Sequence, residues 1–381
     1  MILLPPLLFN SIGNYSLFIW LFIAFLGFAF ALVFGKLAIL YPGDSGVSLA
    51  TKEAMGKKYQ LLTSFYLIFA VFFGPVAVLL IAAQFLQEYF IGVNPAIIAF
   101  GIYIFTYLLL LVRIDFLGKL MLVVTSLVTL IFLISSIFIL SDVDKFIFTL
   151  PKLGISEIGY SFLLAFWAIV GWEVIGNYSK DIENTKTLTN AVIFSATIVS
   201  LVYLLLSSAI CFGNFENKSS EVFKLIWIIE PIFKEYSNIL LTSISVILCV
   251  GTLILFVGGV ARLISSLKFT AYSSKHISSG SPIGALNILA FIHIITLIFV
   301  YFDIFNISDL VTFANGFFIA NAIIGLVTAI ILFKNGILRY SAFLLSILFF
   351  IILLYSNIFI LLAIFSLFLF TYFQSNTKKS T

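Results

Sequence analysis

Charged and turn-forming residues divide this chain into apolar runs about as long as a bilayer is thick, and that division constrains the fold more than any motif does. A helix needs about 20 apolar residues to cross the hydrocarbon core. Runs of that size fall near residues 16–41, 60–87, 95–112, 117–140, 159–178, 188–213, 238–261, 284–302, 308–333, 337–354 and 356–373. These eleven follow an apolar remnant at 1–12 that is too short to cross. With 62% hydrophobic residues, 9% charged residues and 45 phenylalanines, a water-soluble fold would have nowhere to put its apolar surface. The expectation is an all-helical polytopic membrane protein, since a helix satisfies its backbone within its own segment even in lipid. The start MILLPPLLFN precedes the first basic residue, Lys36, and so argues against a cleaved secretory signal. Cys211 and Cys249 lie in separate apolar runs without metal-type spacing and read as small packed hydrophobes.

The charges support the count. Alternate loops place fifteen of the twenty basic residues on one side with five acids, and five lysines with ten acids on the other. By the positive-inside rule the first side is cytoplasmic and holds the C-terminus, as expected in a bacterial inner membrane. Two amphipathic stretches interrupt the alternation, 47–59 on the cytoplasmic side and 216–236 on the outer side. They occupy matching places in two sets of five apolar segments that run in opposite directions across the bilayer. That pattern is expected of an inverted-topology repeat: residues 1–140 as the first half, 159–333 as the second, and 337–373 as two extra helices, all in one domain.

The candidate site lies in the stretch 160–184, YSFLLAFWAIVGWEVIGNYSKDIEN. Gly171 and Gly176 interrupt an apolar run, and Glu173 sits between them at a depth where a carboxylate is expensive to bury. Backbone freed from helical bonds is tolerated there only inside protein or against a cavity, so the stretch reads as a broken helix lining a central site. The alternative is a continuous helix with small residues on a packing face. Pro75, beside Gly74, is expected to kink the second run. His293 reads as a satisfied or shielded packing residue or as a proton relay, and His276 as solvated.

Several motifs, in order, resemble the amino acid, polyamine and organocation permease superfamily, closest to its bacterial methionine and branched-chain amino-acid exporter branch. They are Tyr41-Pro42-Gly43-Asp44-Ser45-Gly46-Val47, Phe166-Trp167 to Gly171-Trp172-Glu173, Lys180-Asp181-Ile182-Glu183-Asn184, Ala261-Arg262-Leu263, Ala285-Leu286-Asn287 and Ala314-Asn315-Gly316. The resemblance implies a LeuT-like fold of two inverted five-helix repeats plus two C-terminal helices, alternating access, and efflux of neutral apolar amino acids, with proton coupling as one option. Against it, the family's cytoplasmic half of helix one, with its Gly-x-Gly break, has no counterpart here, and Ile2, Leu3 and Pro5 would belong to the outer half. Either the start is misassigned, or the chain is a degraded transporter, or the substrate carboxylate is held otherwise.

The resemblance implies a substrate site at Ile2, Leu3, Pro5, Gly74, Phe166, Trp167, Ala168, Ile169, Val170, Gly171 and Asn315. Trp167 would line or gate it, and Asn315-Gly316 would loosen the tenth helix. Glu173 would act as a proton-linked switch or would hold the unwound strand by accepting backbone N–H groups. Thr252 is the one obvious hydroxyl for a sodium site, and 125–129 offers hydroxyls without an amine. The expected partners are a small amino acid and the lipid bilayer, without nucleic acid, cofactor or metal. A membrane enzyme would need clustered carboxylates or a phosphate-binding loop, and neither is present in the sequence. A non-transporting amino-acid sensor on the same fold is the remaining rival.

Overall fold

The computed structural model describes residues 4–145, 154–181, 184–215 and 224–377. Ile2 and Leu3 lie outside them. The described residues form fourteen α-helices: α1 (Leu4–Ile12), α2 (Tyr15–Leu40), α3 (Val47–Met55), α4 (Lys57–Leu86), α5 (Pro95–Leu110), α6 (Ile114–Ser141), α7 (Ile155–Ala165), α8 (Thr185–Phe212), α9 (Ile226–Phe233), α10 (Ser237–Leu267), α11 (Ile283–Tyr301), α12 (Ile307–Leu332), α13 (Ile337–Leu353) and α14 (Ile358–Thr377). Seven of the helical stretches are long and apolar enough to cross a bilayer, and α5, α13 and the apolar part of α14 are shorter apolar helices. The apolar run at 159–178 corresponds to α7 together with the 3-10 segments that follow it, Phe166–Ala168 and Ile175–Asp181.

Helix starts are set by local chemistry. Asn94 accepts from Ala96 N–H at 2.9 Å with Pro95 at the first helical position, and Asn306 and Asp309 cap each other's backbone at 3.0 Å. α3, the helix of the stretch expected at 47–59, is shorter than that span, because Gly56, at φ +89°, turns the chain after Met55 and α4 begins at Lys57. Lys57 and Lys58 therefore belong to the crossing helix. Lys58 lays its ammonium 3.1 Å from the centre of the Tyr372 ring, a cation–π contact at the end of a span. Of the outer amphipathic stretch, α9 and the 3-10 turn Lys234–Tyr236 are described, while 216–223 lies outside the described residues.

Burial separates a centre from a lipid-facing shell. In the apolar windows of the crossing helices, 72% of α4 and 67% of α12 are buried, against 28% of α6. α4 packs on α12 and on α10, and α2 packs on α8. Phe25, Leu122 and Phe194 point outward, where lipid is the favourable neighbour. Pro75 sits inside α4, which stays helical on both sides of it. α12 is helical through Asn315 and Gly316, and a Cβ at Gly316 would run into Ile360 of α14.

Candidate functional site

The broken helix is the most irregular backbone in the centre of the molecule. α7 ends at Ala165, the next three residues tighten into a 3-10 turn, and Ile169 N–H bonds to Phe166 C=O at 2.8 Å. Gly171 then takes φ +123°, which a residue with a side chain rarely adopts. Its N–H is held by Glu173 Oε2 at 2.9 Å, not by the Trp167 carbonyl that a continuous helix would supply. The Trp167 carbonyl is thereby released from its helical donor, on the side where α7 presents its partial negative charge. Glu173 is 2% exposed, and its second oxygen has no hydrogen-bond partner among the described residues.

The second glycine acts differently. Gly176 lies within the 3-10 segment Ile175–Asp181, where a Cβ would stand 2.8 Å from the Gly46 backbone. The glycine pair lets the turn between α2 and α3 press onto the second half of the broken helix. Gly43 N–H donates to Ser179 Oγ at 3.0 Å, and Ser45 and Ser266 share a hydroxyl contact at 2.7 Å. Asn177 donates to Gly259 C=O at 3.0 Å, and Tyr178 O–H bonds to the Leu255 carbonyl at 3.0 Å. Charges close the layer: Arg262 reaches Asp181 at 2.6 Å and Asp44 at 3.5 Å, and Lys180 reaches Asp44 at 3.3 Å. Asp44, Lys180, Asp181 and Arg262, with His276, line a cavity of about 450 Å³ at the Arg262 end of α10.

About two to three turns back along α10 lies a second cavity, small and apolar, of about 20 Å³. Its walls are Gly74, Pro75 and Val78 of α4, Trp167 and Val170 of the broken helix, Thr252, Leu253 and Phe256 of α10, and Phe318 of α12. It has room for about one water and offers that water no polar partner. Phe256 and Phe318 meet edge to face at 5.2 Å beside it. Trp167 Nε1 is buried without a partner among the described residues.

Of the residues singled out from the sequence, Gly74, Trp167 and Val170 meet at this cavity. The side chains of the intervening residues point elsewhere. Phe166 packs against Phe349 of α13 at 4.8 Å, Ala168 faces a separate small cavity beside α2 and α8, and Ile169 lies against Gly27. Pro5 is buried in α1 and Asn315 donates to the Leu163 carbonyl at 3.3 Å, so both support α7 or its neighbours without lining the cavity. Thr252 lines it but donates its hydroxyl to Leu248 C=O at 2.9 Å within its own helix. Val78, Leu253, Phe256 and Phe318 were not legible as site residues. Among 45 phenylalanines no single one carries a signal until its neighbours are known.

A family model described as amino acid permease matches residues 2–381. The L-methionine/branched-chain amino acid exporter YjeH of Escherichia coli strain K12 is 24% identical over 339 residues, which span 83% of this chain and 77% of that protein. Among solved structures, a mutant manganese transporter of Eremococcus coleocola superposes with a TM-score of 0.65 at 13% identity, over 97% of this chain and 90% of that one.

Proposed function

The chain belongs to the amino acid permease family, and from that premise we propose that it exports neutral apolar amino acids, with methionine, leucine, isoleucine and valine as the substrate group. It is a multi-pass membrane transporter of small amino-acid substrates and not an enzyme, with an all-helical LeuT-like fold. The observation that carries the finer reading is the opened backbone at Trp167–Gly171 beside a cavity whose walls are apolar throughout. The released Trp167 carbonyl suits the amino end of an amino acid, since the C-terminal turn of a helix presents unpaired acceptors. Aliphatic and aromatic walls suit an apolar side chain and disfavour a charged one. The 20 Å³ space is smaller than any of these side chains, so substrate binding requires Trp167, Phe256 or Phe318 to move apart.

Alternating access follows from the same layout. The ion-paired layer at Asp44, Asp181 and Arg262 lies among the loops that carry most of the basic residues, which supports a cytoplasmic position for it. The halves 1–140 and 159–333 would rock against each other around the broken helix, with 337–373 outside the repeat. α3 between α2 and α4, and α9 between α8 and α10, sit at matching places in those halves. The site on this reading comprises Gly74, Trp167, Val170 and the backbone from Phe166 to Gly171, with Glu173 supporting the break. The test is release of labelled methionine, leucine, isoleucine or valine from preloaded membrane vesicles carrying the protein. Faster release of these four than of lysine or glutamate supports the proposal. Ligand binding without any flux would instead identify a sensor built on the same fold.

A further inference from the structure

His293 of α11 is completely buried, and the transport reading gives it no part. Its surroundings do. Nε2 lies 2.7 Å from the Val71 carbonyl of α4, and Nδ1 lies 3.0 Å from the Tyr103 hydroxyl of α5. A carbonyl can only accept, so the ring proton is on Nε2, and Nδ1 accepts from Tyr103 O–H. Val71 is four residues before Pro75, and in an α-helix its carbonyl would take the N–H of residue 75. Proline has no such N–H, so the Val71 carbonyl is an orphan created by the sequence of α4 itself. Val71 is fully buried, away from any water that could serve it.

We infer that His293 is a positioning residue: its Nε2–H replaces the hydrogen bond that Pro75 deletes from α4, and thereby fixes the helix turn at Gly74 and Pro75 that lines the central cavity. The inference rests on the transport reading for its functional consequence and not for the bond itself. Tyr103 sets the tautomer by donating to Nδ1, and its ring stands edge to face with the imidazole at 5.3 Å. α4, α5 and α11 are thus pinned at one point, one turn from the cavity wall.

A double-mutant cycle tests this. H293L removes the donor and the acceptor together, leaving the Val71 carbonyl and the Tyr103 hydroxyl unpaired, and the expected loss of leucine flux is roughly tenfold, on the scale of a buried polar group left without its partner. Whatever P75A does alone, its restored N–H can take the Val71 carbonyl, so H293L in the P75A background is expected to cost severalfold less than in the wild-type background, the remainder coming from the stranded Tyr103 hydroxyl. H293Q, whose amide nitrogen falls near the Nε2 position, is expected to retain most of the flux. The inference is overturned if H293L costs the same in both backgrounds, or if H293Q is as damaged as H293L, which is what a proton relay would give. Where H293L fails to accumulate in the membrane, accumulation of H293L/P75A becomes the readout, and failure of the double variant overturns the inference too. The same cycle read by thermal melting of purified protein separates the two claims. Absence of flux in the wild-type chain would sink the transport reading, while coupling in the melting cycle would still stand or fall on its own.

Discussion

Glu173 is the residue whose position is hardest to explain without function. Its Oε2 holds Gly171 N–H at 2.9 Å in a backbone conformation that gives that N–H no carbonyl, and its burial is nearly complete. The contact makes it a brace for the break. E173Q keeps a carbonyl oxygen for the same N–H, and is expected to fold, to transport, and to leave any pH dependence of flux unchanged. E173A strands a buried N–H at a cost of about 1–3 kcal/mol, which thermal melting of the purified protein would report. Flux that becomes independent of pH in E173Q would show a proton-linked switch instead.

The broken helix works as an element because its second half is clamped from outside. The Gly43 to Gly46 turn, Ser179 and the Arg262 pairs fasten Ile175–Asp181 to α2 and α10, so the first half meets the cavity against a fixed partner. Arg262 is only 17% exposed and serves two carboxylates, which makes it the centre of the clamp. R262E is expected to slow flux severalfold, and D181R in the same chain to restore part of it, measured in vesicles; equal loss in the double variant would deny the pair a role. The break itself was legible from the sequence, since two glycines around an acid at membrane depth favour an opened backbone over a continuous helix, whereas the clamp was not. The spans were legible for a similar reason: each is bounded by charges or turn residues, and the charges had to segregate by side. What was illegible depended on distant partners. Lys57 and Lys58 looked like surface residues because the Tyr372 ring that receives Lys58 is far along the chain. His293 could be read as packing or relay until the Val71 carbonyl, 222 residues away, appeared beside it. Phe256 and Phe318 were hidden among many equivalent rings.

At the scale of the whole molecule, the proposed mechanism needs two halves of opposite orientation and a site between them. In a cysteine-free background, single cysteines at Glu157 and at Lys180, the two ends of the broken crossing, are expected to react with impermeant reagents from opposite compartments. Labelling of both from the same side would contradict the crossing and the repeat together. The most direct measurement is counterflow: purified protein in liposomes loaded with unlabelled leucine, with labelled leucine outside. Saturable accumulation is expected, which methionine, isoleucine and valine compete away and lysine does not, and which V170F abolishes by filling the cavity while the protein still melts as a folded species. No accumulation by folded wild-type protein, or accumulation unchanged in V170F, would contradict a central apolar amino-acid site.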